Sequence, residues 1–527
     1  MTRSREELLA QDSEDLKRLG YAQQLFREMG GFSNFAISFS IISVLTGAIL
    51  LFGYGLKFAG PIVNTVGWPV VSLFTMAVAA SMAELASAYP TAGGLYFWAF
   101  RLGGRGWAWV TAWLNMVGQV TITAGINVAA AIYIIGAASH IFGIPDDAKV
   151  PLFGSLTSWW FQLAVMIALM VPQVLLNIFG IRLTARLNDF SVWWHIAGVA
   201  LIVAFLAFWG RHHNPASFLF LSTHTVDPHE LSATMAIGDW KVASPLFALF
   251  PGLAGLYKAA PFGLVFVLAL LQAQWTYTGY DASAHVAEET VMARLNSAWG
   301  VFLSVAISSV VGYLLLLVLT WCIPNGDVAA TAADPYPVLF IARQNLAPIL
   351  ADTVAIIIGV AMWLCGSASI TSMARMWYAF ARDGGIPGSA LLKRVDPKSR
   401  VPVVSVLVTS ALSVLVCVYA AAFTVVTSIS TIALYLAYGI PIYLNWRNRK
   451  RGRGEHTSEA TPWSLGRWSG AVNAVALLWV VFITVVFSLP PNELVLWTML
   501  LLSVLLLLYW LAWARGRFRG PAVADEA

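Results

Sequence analysis

The stretch from Gln272 to Thr290 reads QAQWTYTGYDASAHVAEET, and the interpretation of the whole chain depends on it. It ends an apolar run that begins near Phe262 and that would otherwise cross a membrane as one helix. Thr278, Gly279 and Asp281 interrupt this run, and backbone groups freed by a break in lipid have no water to satisfy them. Such a break survives where it lines a cavity, and a carboxylate inside a span marks a functional site. We predict a broken helix around a binding cavity; an ordinary kink with a snorkelling aspartate is the alternative.

The composition of the chain is that of a membrane protein. Of its 527 residues, 59% are hydrophobic and only 11% are charged, and the mean hydropathy is +0.74. A soluble domain of this size carries far more charge, so the composition indicates an all-α polytopic protein with the lipid bilayer as its surroundings. Three cysteines, Cys322, Cys365 and Cys417, lack CxxC spacing and predict neither a zinc site nor a disulfide framework.

Twelve apolar runs are long enough to cross a hydrocarbon core of about 30 Å. In chain order, spans 1 to 12 are predicted at 34–57, 64–89, 106–138, 157–179, 187–209, 262–287, 297–321, 351–381, 402–422, 424–445, 470–489 and 492–513. An even number of spans places both termini on one side of the membrane. Before span 1, the segment Leu16–Met29 has apolar residues at roughly helical spacing, which predicts an amphipathic segment at the membrane interface.

The distribution of charge predicts the orientation of the spans. Six of the 31 Lys and Arg residues fall on the side opposite to the termini: Lys57, Lys149, Arg211, Lys241, Lys258 and Arg343. The other 25 (31 minus 6) share the side of the termini, and the positive-inside rule makes that side cytoplasmic. The net charge of +5 therefore reflects topology and predicts no nucleic-acid partner. The basic run Arg447–Arg453 is interpreted in the same way, with a lipid-headgroup site as the alternative.

The predicted spans divide the chain into two halves of five with a C-terminal pair. The predicted units are a cytoplasmic tail at 1–33, a first repeat at 34–209, an extracellular loop at 210–261, a second repeat at 262–445, a basic cytoplasmic loop at 446–469, spans 11 and 12 at 470–513, and a cytoplasmic tail at 514–527. The extracellular loop contains His212, His213, His224 and His229 near Asp227, Glu230 and Asp239. Their spacing matches no ligand motif, so we predict a solvated loop, with no metal and no cofactor.

Span 1 contains a sequence break that corresponds to the break in span 6. It reads FSIISVLTGAILLFGYG, with Thr46 and Gly47 in the middle, where span 6 has Thr278 and Gly279. Paired Gly-interrupted spans in two halves are typical of inverted-repeat transporters with a site at the bilayer midplane. Where a helix unwinds, N–H groups of the following half favour a carboxylate, and carbonyls of the preceding half can accept from an ammonium. The pattern predicts a small zwitterionic or cationic substrate.

Other polar residues within the spans are candidates for the same cavity. Thr111, Asn115 and Gln119 lie at i, i+4 and i+8 on one face of span 3. Span 8 contains Ser367, Ser369, Thr371 and Ser372. Either set lines the cavity or forms hydrogen bonds between helices. Trp275, six residues before Asp281, could stack on substrate as a gate, or it packs as an ordinary core residue.

Four motifs resemble the amino acid-polyamine-organocation superfamily. AELASAYPTAGGLYFWAF (Ala83–Phe100) is similar to its signature at the end of span 2, and SMARMWYAFARDGGIP (Ser372–Pro387) to its loop after span 8. GYAQQLFREMGGFSNFAISFSIISVLTG (Gly20–Gly47) and TYTGYDASAHVAEET (Thr276–Thr290) are closer to the amino acid/choline transporter branch, which includes GABA and choline permeases. The resemblance runs in the family's order from about Gly20 to span 12.

This resemblance implies a LeuT-like fold, with a five-plus-five inverted repeat, two extra helices and twelve transmembrane helices in all. It places the span 1 break at Leu45, Thr46, Gly47 and Ala48, where leucine replaces the usual first glycine; this is compatible with a substrate other than a standard α-amino acid. It assigns the aromatic gate to Trp275 and the acidic residue after the break to Asp281. The candidate substrate-binding residues are Leu45, Thr46, Gly47, Ala48, Asn115, Gln119, Trp275, Tyr277, Thr278, Gly279, Asp281 and Ser367.

Two histidines are candidates for proton coupling. GIRLTARLNDFSVWWHI (Gly180–Ile196) resembles the start of span 5 in proton-coupled permeases, which place a lysine where sodium-driven relatives hold sodium; here that position falls on His195. Histidine, with an ordinary pKa of about 6.5, is suited to gain and lose a proton; a neutral packed histidine is the alternative. His285 is the competing candidate for the coupled proton, since Asp281, His285 and Glu288 lie at i, i+4 and i+7 on one helical face. That face could be a proton path, a structural network or, least favoured, a metal site.

The sequence therefore predicts a secondary transporter that imports a small amino acid or amine across the cytoplasmic membrane by alternating access, coupled to proton influx. Related alternatives are a choline or polyamine carrier and a substrate antiporter. A transporter-like nutrient sensor or a channel belongs to a different class, and the few intramembrane charges argue against a channel. HExxH, GxSxG and Walker A motifs are absent, so no enzyme is predicted. The exact substrate, the stoichiometry and the oligomeric state are left open.

Overall fold

The computed structural model describes residues 4–145, 148–226, 234–237, 240–419, 423–452 and 461–521. Regular structure in these residues is almost entirely helical. Two short antiparallel sheets, Lys149–Val150 with Gly154–Ser155 and Thr234–Ile237 with Trp240–Ala243, lie in the loops outside the spans. The prediction of an all-α polytopic protein is confirmed.

The helices follow the predicted spans and keep the span numbers here. Span 1 consists of Gly31–Ile42, Gly47–Leu50 and Phe52–Ala59, and span 2 of a π-helical turn Val63–Gly67 followed by Trp68–Ala88. Span 3 is Arg105–Ile141, span 4 is Trp159–Ile178 and span 5 is Ile181–Trp209. Span 6 consists of Phe262–Ala269, Leu271–Thr276 and Ala282–His285. Span 7 is Ala293–Trp321, span 8 is Pro348–Arg382 and span 9 is Val403–Tyr419. Span 10 is Phe423–Lys450, span 11 is Ser469–Val486, and span 12 is Glu493–Tyr509 followed by a π-helical turn Trp510–Ala514. Shorter helices are Arg5–Arg18, Leu95–Gly103, Pro245–Leu249, Pro251–Ala259, Val328–Ala333, Pro337–Asn345, Ser389–Leu392 and Arg515–Arg517, and 3-10 turns are Ala216–Phe220, Ala287–Glu289, Pro324–Gly326 and Gly466–Trp468.

Ten helices in the described part of the chain are long and apolar enough to cross a membrane. The number is eleven if Pro251–Ala259 and Phe262–Thr276, which are bent by 91° relative to each other, form one span. A shorter apolar helix, Val403–Val418, lies where span 9 is predicted. The multi-pass character is therefore confirmed, and the count of twelve stays a prediction.

Spans 1, 3, 6 and 10 form the centre of the bundle. In spans 1, 3 and 10, 89% of an 18-residue apolar window is buried, against 17% in span 12, and residues 268–285 of span 6 are all buried. Hydroxyl and amide side chains hold span 8 to its neighbours. The hydroxyls of Thr123 in span 3 and Ser369 in span 8 are 2.6 Å apart, and the Thr371 hydroxyl donates to Asn177 Oδ1 of span 4 at 2.6 Å. Such bonds are typical of helix packing in lipid, where apolar side chains gain little by leaving lipid for another helix.

The N-terminal segment, residues 4–30, packs across one end of the bundle, here termed the terminal face. Its helix Arg5–Arg18 ends before Gly20, whose φ is +89°, so the helical spacing predicted through Met29 does not continue as a helix. Met29 instead pairs with Thr290 in a parallel β-bridge. The Arg27 side chain donates to the Thr290 carbonyl oxygen at 2.6 Å. These contacts attach the N-terminal segment to the chain directly after span 6.

The loop between spans 5 and 6 has no metal-binding arrangement in its described residues, where no group of three His, Cys, Asp or Glu side chains could hold an ion. His213 Nε2 lies 3.0 Å from the Leu206 carbonyl oxygen, and the ring stacks on Trp321 at 4.2 Å. The positions Asp227, His229, Glu230 and Asp239 lie outside the described residues.

Candidate substrate site

Span 1 is interrupted between Ile42 and Gly47, where the sequence predicts its break. Ser43 ends the first helix with a left-handed φ of +33°, a common conformation just after a helix. The N–H groups of Thr46 and Gly47 both donate to the Ser43 carbonyl oxygen, at 2.7 and 3.1 Å. The hydroxyls of Ser43 and Thr46 are 2.6 Å apart. Part of the backbone that the sequence predicts to be free is thus bonded within the turn.

Span 6 is interrupted between Thr276 and Ala282. Gly279 has a φ of +83°, which disfavours a side chain, and a Cβ there would lie 2.3 Å from the Ile41 side chain of span 1. The Gly279 N–H donates to the Tyr438 hydroxyl at 3.2 Å. The predicted break is present, and span 10 supports it.

The two breaks meet around a small cavity. A Cβ on Gly47 would lie 2.5 Å from Thr276 Oγ1 and 2.8 Å from Thr276 Cα, so these backbones are in contact. The adjoining cavity has a volume of only about 10 Å³ and is lined by Ile41, Ile42, Thr46, Gly47, Ile122, Ile126, Trp275, Thr276 and Thr278, none of which is ionisable. Pockets for small molecules usually measure about 300–1,000 Å³. The site is therefore closed down to a small, mostly apolar space.

We expect Gly47→Ala to abolish uptake while the protein still folds. The added methyl must push against the Thr276 backbone, so it separates the two breaks and alters the cavity. Uptake into proteoliposomes and the melting temperature are the measurements. Gly263→Ala in span 6 is the matched control, because a Cβ there meets nothing within 4 Å. Normal uptake by both variants would show that the contact is dispensable.

Asp281 is fully buried beside the breaks and accepts four hydrogen bonds. Its Oδ2 atom accepts from Asn115 Nδ2 at 2.9 Å, Gln119 Nε2 at 3.1 Å and His285 Nε2 at 2.9 Å. Its Oδ1 atom accepts from the Tyr438 hydroxyl at 2.8 Å. Oδ2 thus accepts three bonds, whereas Oδ1 accepts one and keeps a lone pair for a further donor. Asp281 thus joins spans 3, 6 and 10 and does not line the cavity.

His285 lies between two hydrogen-bond acceptors. Its Nε2 faces the Asp281 carboxylate, and its Nδ1 is 3.3 Å from the Ala92 carbonyl oxygen. A neutral imidazole would turn a lone pair towards one of them, whereas an imidazolium donates to both. The geometry therefore fits a charged His285 paired with Asp281. Glu288 is the third residue of the predicted face that Asp281 and His285 begin. It contacts the same residue as His285, because the Ala92 N–H donates to Glu288 Oε1 at 3.0 Å.

His195 is fully buried in span 5 and contacts the break of span 1 directly. Its Nδ1 lies 2.7 Å from the Ser191 carbonyl oxygen, which can only accept. Nδ1 therefore carries the hydrogen, and in the neutral ring Nε2 accepts from the Ser43 hydroxyl at 2.8 Å. Protonation would turn Nε2 into a donor and require the Ser43 hydroxyl to turn towards Thr46. The state of this ring is thus linked to the hydrogen bonds of the break.

Two bidentate ion pairs close the terminal face where span 6 ends. Arg382 binds Glu288 through bonds of 2.9 and 3.0 Å. Arg375 binds Glu289 through bonds of 3.0 and 3.2 Å, and both of these side chains are fully buried. The Arg382 guanidinium also lies 3.9 Å from the centre of the Tyr21 ring. Span 8, span 6 and the N-terminal segment are held together at this face.

We expect the attachment of the N-terminal segment to weaken as the pH rises from 5 to 7. The Tyr21 hydroxyl donates to Asp383 at 2.7 Å, and burial raises the pKa of Asp383 to about 7. A carboxyl with a raised pKa stabilises the attached state fully below its ordinary pKa of about 4, and this contribution is lost as the pH rises through about 7.

The test is hydrogen exchange of the N-terminal segment between pH 5 and 8. Asp383→Asn should remove the pH-dependent part of its protection, after correction for intrinsic exchange. Asp396→Asn is the control, since hydrogen bonds from Ser399 lower the pKa of Asp396 and keep it ionised over this range. An unchanged profile in Asp383→Asn would contradict the assignment.

The candidate residues fall into three groups. Thr46, Gly47, Trp275 and Thr278 line the cavity, and Asn115, Gln119 and Asp281 form the hydrogen-bonded network beside it. The others, Leu45, Ala48, Tyr277, Gly279 and Ser367, are buried close by or at the breaks and do not line it. Ser367 uses its carbonyl oxygen to accept from Asn177 Nδ2 at 3.1 Å.

Sequence reasoning missed several residues of the site: Ile41, Ile42, Ser43, Ile122, Ile126, Thr276 and Tyr438. Ile122 and Ile126 follow Gln119 at i+3 and i+7, so extending the span 3 face would have found them. Ser43 precedes the predicted break by two residues. No local pattern marks Tyr438, because its position depends on the packing of span 10 against span 6.

Comparisons with known proteins show the family of this chain. The family model for amino acid permeases matches residues 29–512. The chain is 33% identical to the amino-acid permease BAT1 homolog of Oryza sativa subsp. japonica, with 96% of this chain and 94% of that protein aligned. It is 32% identical to the amino-acid permease BAT1 of Arabidopsis thaliana, with 96% and 95% aligned. A putative polyamine transporter of Candida albicans is 24% identical, with 97% and 89% aligned.

These relatives point to a transporter rather than an enzyme, one that carries an amino acid or an amine. The match spans both broken helices and the ion pairs of the terminal face, so it includes the whole candidate site. The chain belongs to the amino acid permease family of the amino acid-polyamine-organocation superfamily.

Proposed function

We propose that the protein imports a small zwitterionic amino acid across the cytoplasmic membrane by alternating access, driven by proton influx, with the terminal face in the cytoplasm. The family supports the class of cargo. The bond between His195 Nε2 and the Ser43 hydroxyl is the observation that carries the coupling, because it joins a titratable ring to the break of span 1.

The lining of the cavity favours a zwitterion over a polyamine. None of its nine residues is ionisable, and Asp281 is not among them. Each ammonium of a polyamine would be buried without an anionic partner, which is costly. The two charges of an amino acid can instead interact with the oppositely directed backbone dipoles of the two breaks. The isoleucine side chains suit an aliphatic substituent.

Proton and substrate would bind cooperatively at the break of span 1. A protonated His195 is a buried cation, and the polar partners it has in the described residues are Ser43 and Ser191. A substrate carboxylate at the same break would stabilise that cation. By linkage, the proton then raises substrate affinity by the same factor as the substrate raises proton affinity. Hydration on opening towards the cytoplasm would release both.

The first experiment is uptake of labelled amino acids, GABA, choline and a polyamine into proteoliposomes with and without an inward proton gradient. We expect accumulation of a small amino acid only with the gradient, and loss of that dependence in His195→Ala. His140→Ala is the control, since His140 is a surface residue about one-third exposed. Uptake that ignores the gradient but needs preloaded substrate would make the protein an exchanger. Loss of the gradient dependence in His285→Ala alone would move the coupling to that residue.

A further inference from the structure

An apolar groove of about 650 Å³ runs along span 12, outside the substrate site. Spans 3, 10, 11 and 12 line it, with Leu114, Leu436, Met499 and Leu507 among its side chains. The three hydroxyl residues in the lining, Thr484, Ser488 and Ser503, each donate to a carbonyl of their own helix at 2.6–2.7 Å. These hydroxyls are therefore satisfied, and the groove offers a ligand mainly van der Waals contact.

The length of the groove fits a lipid chain. Its lining on span 12 runs from Leu496 to Trp510, so the 14 steps between them at about 1.5 Å per residue give roughly 21 Å. One leaflet contributes about half of a hydrocarbon core of about 30 Å. An acyl chain of that leaflet can therefore lie along span 12 within the groove.

Two arginines lie close in sequence to the lining residues at the end of the groove nearest the terminal face. Gly106 and Trp510 line this end, and the rings of Trp109 and Trp510 lie 5.2 Å apart. The exposed Arg105 precedes Gly106, and the exposed Arg515 follows Trp510 by five residues. Arg105 also begins the long helix of span 3, whose N-cap Gly104 has no side chain to accept from its first N–H groups. Free N–H groups at a helix N-terminus and two arginines both suit a phosphate.

We propose that this groove binds an anionic phospholipid, with one acyl chain along span 12 and the phosphate between Arg105 and Arg515. The site is separate from the substrate cavity, and the proposal does not depend on the transported substrate. A neutral phospholipid would fill the groove equally well but would gain less from the two arginines. Preference for an anionic headgroup is therefore the signature of this site.

The test uses the purified full-length protein in detergent, titrated with phosphatidylglycerol or phosphatidylcholine of identical chains, with retained lipid counted by native mass spectrometry. We expect the wild type to bind phosphatidylglycerol more tightly than phosphatidylcholine. The double variant Arg105→Ala, Arg515→Ala should bind phosphatidylglycerol about 30-fold more weakly, because it lacks the attraction that two basic residues usually contribute near an anionic lipid. The control Lys393→Ala, Arg394→Ala removes the same charge from another exposed part of the chain and should bind as the wild type does.

A second pair of variants tests the groove itself. Ser503→Trp fills it and should reduce retention of both lipids, whereas Val504→Trp, on the adjacent exposed face of span 12, should not. Equal binding of the two lipids by the wild type would overturn the proposal, as would normal retention in Ser503→Trp. A dimer that retains no lipid and dissociates in Ser503→Trp would show that a second copy fills the groove. The arginine variants change only surface residues and keep the test decisive if Ser503→Trp does not fold.

Discussion

Asp281→Ala should destabilise the protein by about 3–5 kcal/mol, because it leaves the buried charge of His285 without its partner. The same change removes the acceptor of Asn115, Gln119 and Tyr438, so three further buried donors lose a bond. Spans 3, 6 and 10 would lose the group that joins them next to the breaks. We therefore expect a lower melting temperature in detergent together with loss of uptake.

The variants of Asp281 separate charge from packing. Asp281→Asn keeps the shape of the side chain but removes its charge, so it should recover part of the stability when combined with His285→Gln. Asp352→Asn is the matched control, because Asp352 faces His140 at 3.7 Å with both side chains about one-third exposed; surface pairs contribute at most about 1 kcal/mol. Equal melting temperatures for Asp281→Ala and Asp352→Asn would contradict the charged pair.

The sequence predicts the parts of this site that depend on local chemistry. Glycine and threonine in the middle of apolar runs predict the breaks of spans 1 and 6, and the cost of a carboxylate in lipid singles out Asp281. The helical stripe of span 3 places Asn115 and Gln119 on the face that reaches Asp281. These inferences work because helix geometry and solvation act over a few residues.

The remaining features depend on contacts between distant segments. The second acceptor beside His285 is the carbonyl of Ala92, 193 positions earlier in the chain. The orientation of His195 follows from Ser43, 152 positions earlier. The extended path of the N-terminal segment is another example, because pairing of Met29 with Thr290 replaces the helix that its apolar spacing favours. Such partners are set by the packing of the whole bundle, which periodicity does not encode.

Arg375→Ala should open the terminal face, and its effect on accessibility should be the largest of any single change at that face. Arg375 and Glu289 are both fully buried when the face is closed, and removing the arginine leaves a buried carboxylate alone. In an open state water solvates that carboxylate, so the penalty of about 3–5 kcal/mol falls on the closed state. The equilibrium between the two states should shift by about 100-fold or more towards the open one.

The rate of maleimide labelling from the terminal face reports this shift. The probe is a cysteine at Thr46, in a background without Cys322, Cys365 and Cys417. Arg182→Ala is the control, since Arg182 pairs with Glu28 at 2.7 Å near the N-terminal segment but is 78% exposed. Its labelling should stay within about fivefold of the wild type.

The double variant Glu289→Gln, Arg375→Gln decides whether charge is the cause. It leaves no uncompensated charge in the closed state, so it should label more slowly than Arg375→Ala although it has lost the same ion pair. Labelling of the double variant as fast as that of Arg375→Ala would mean that the bidentate bonds themselves, and not the burial of a lone carboxylate, keep the face closed. Unchanged labelling in Arg375→Ala would show that the ion pairs do not form the barrier. Release of substrate would then have to be controlled by the N-terminal segment, which also covers this face.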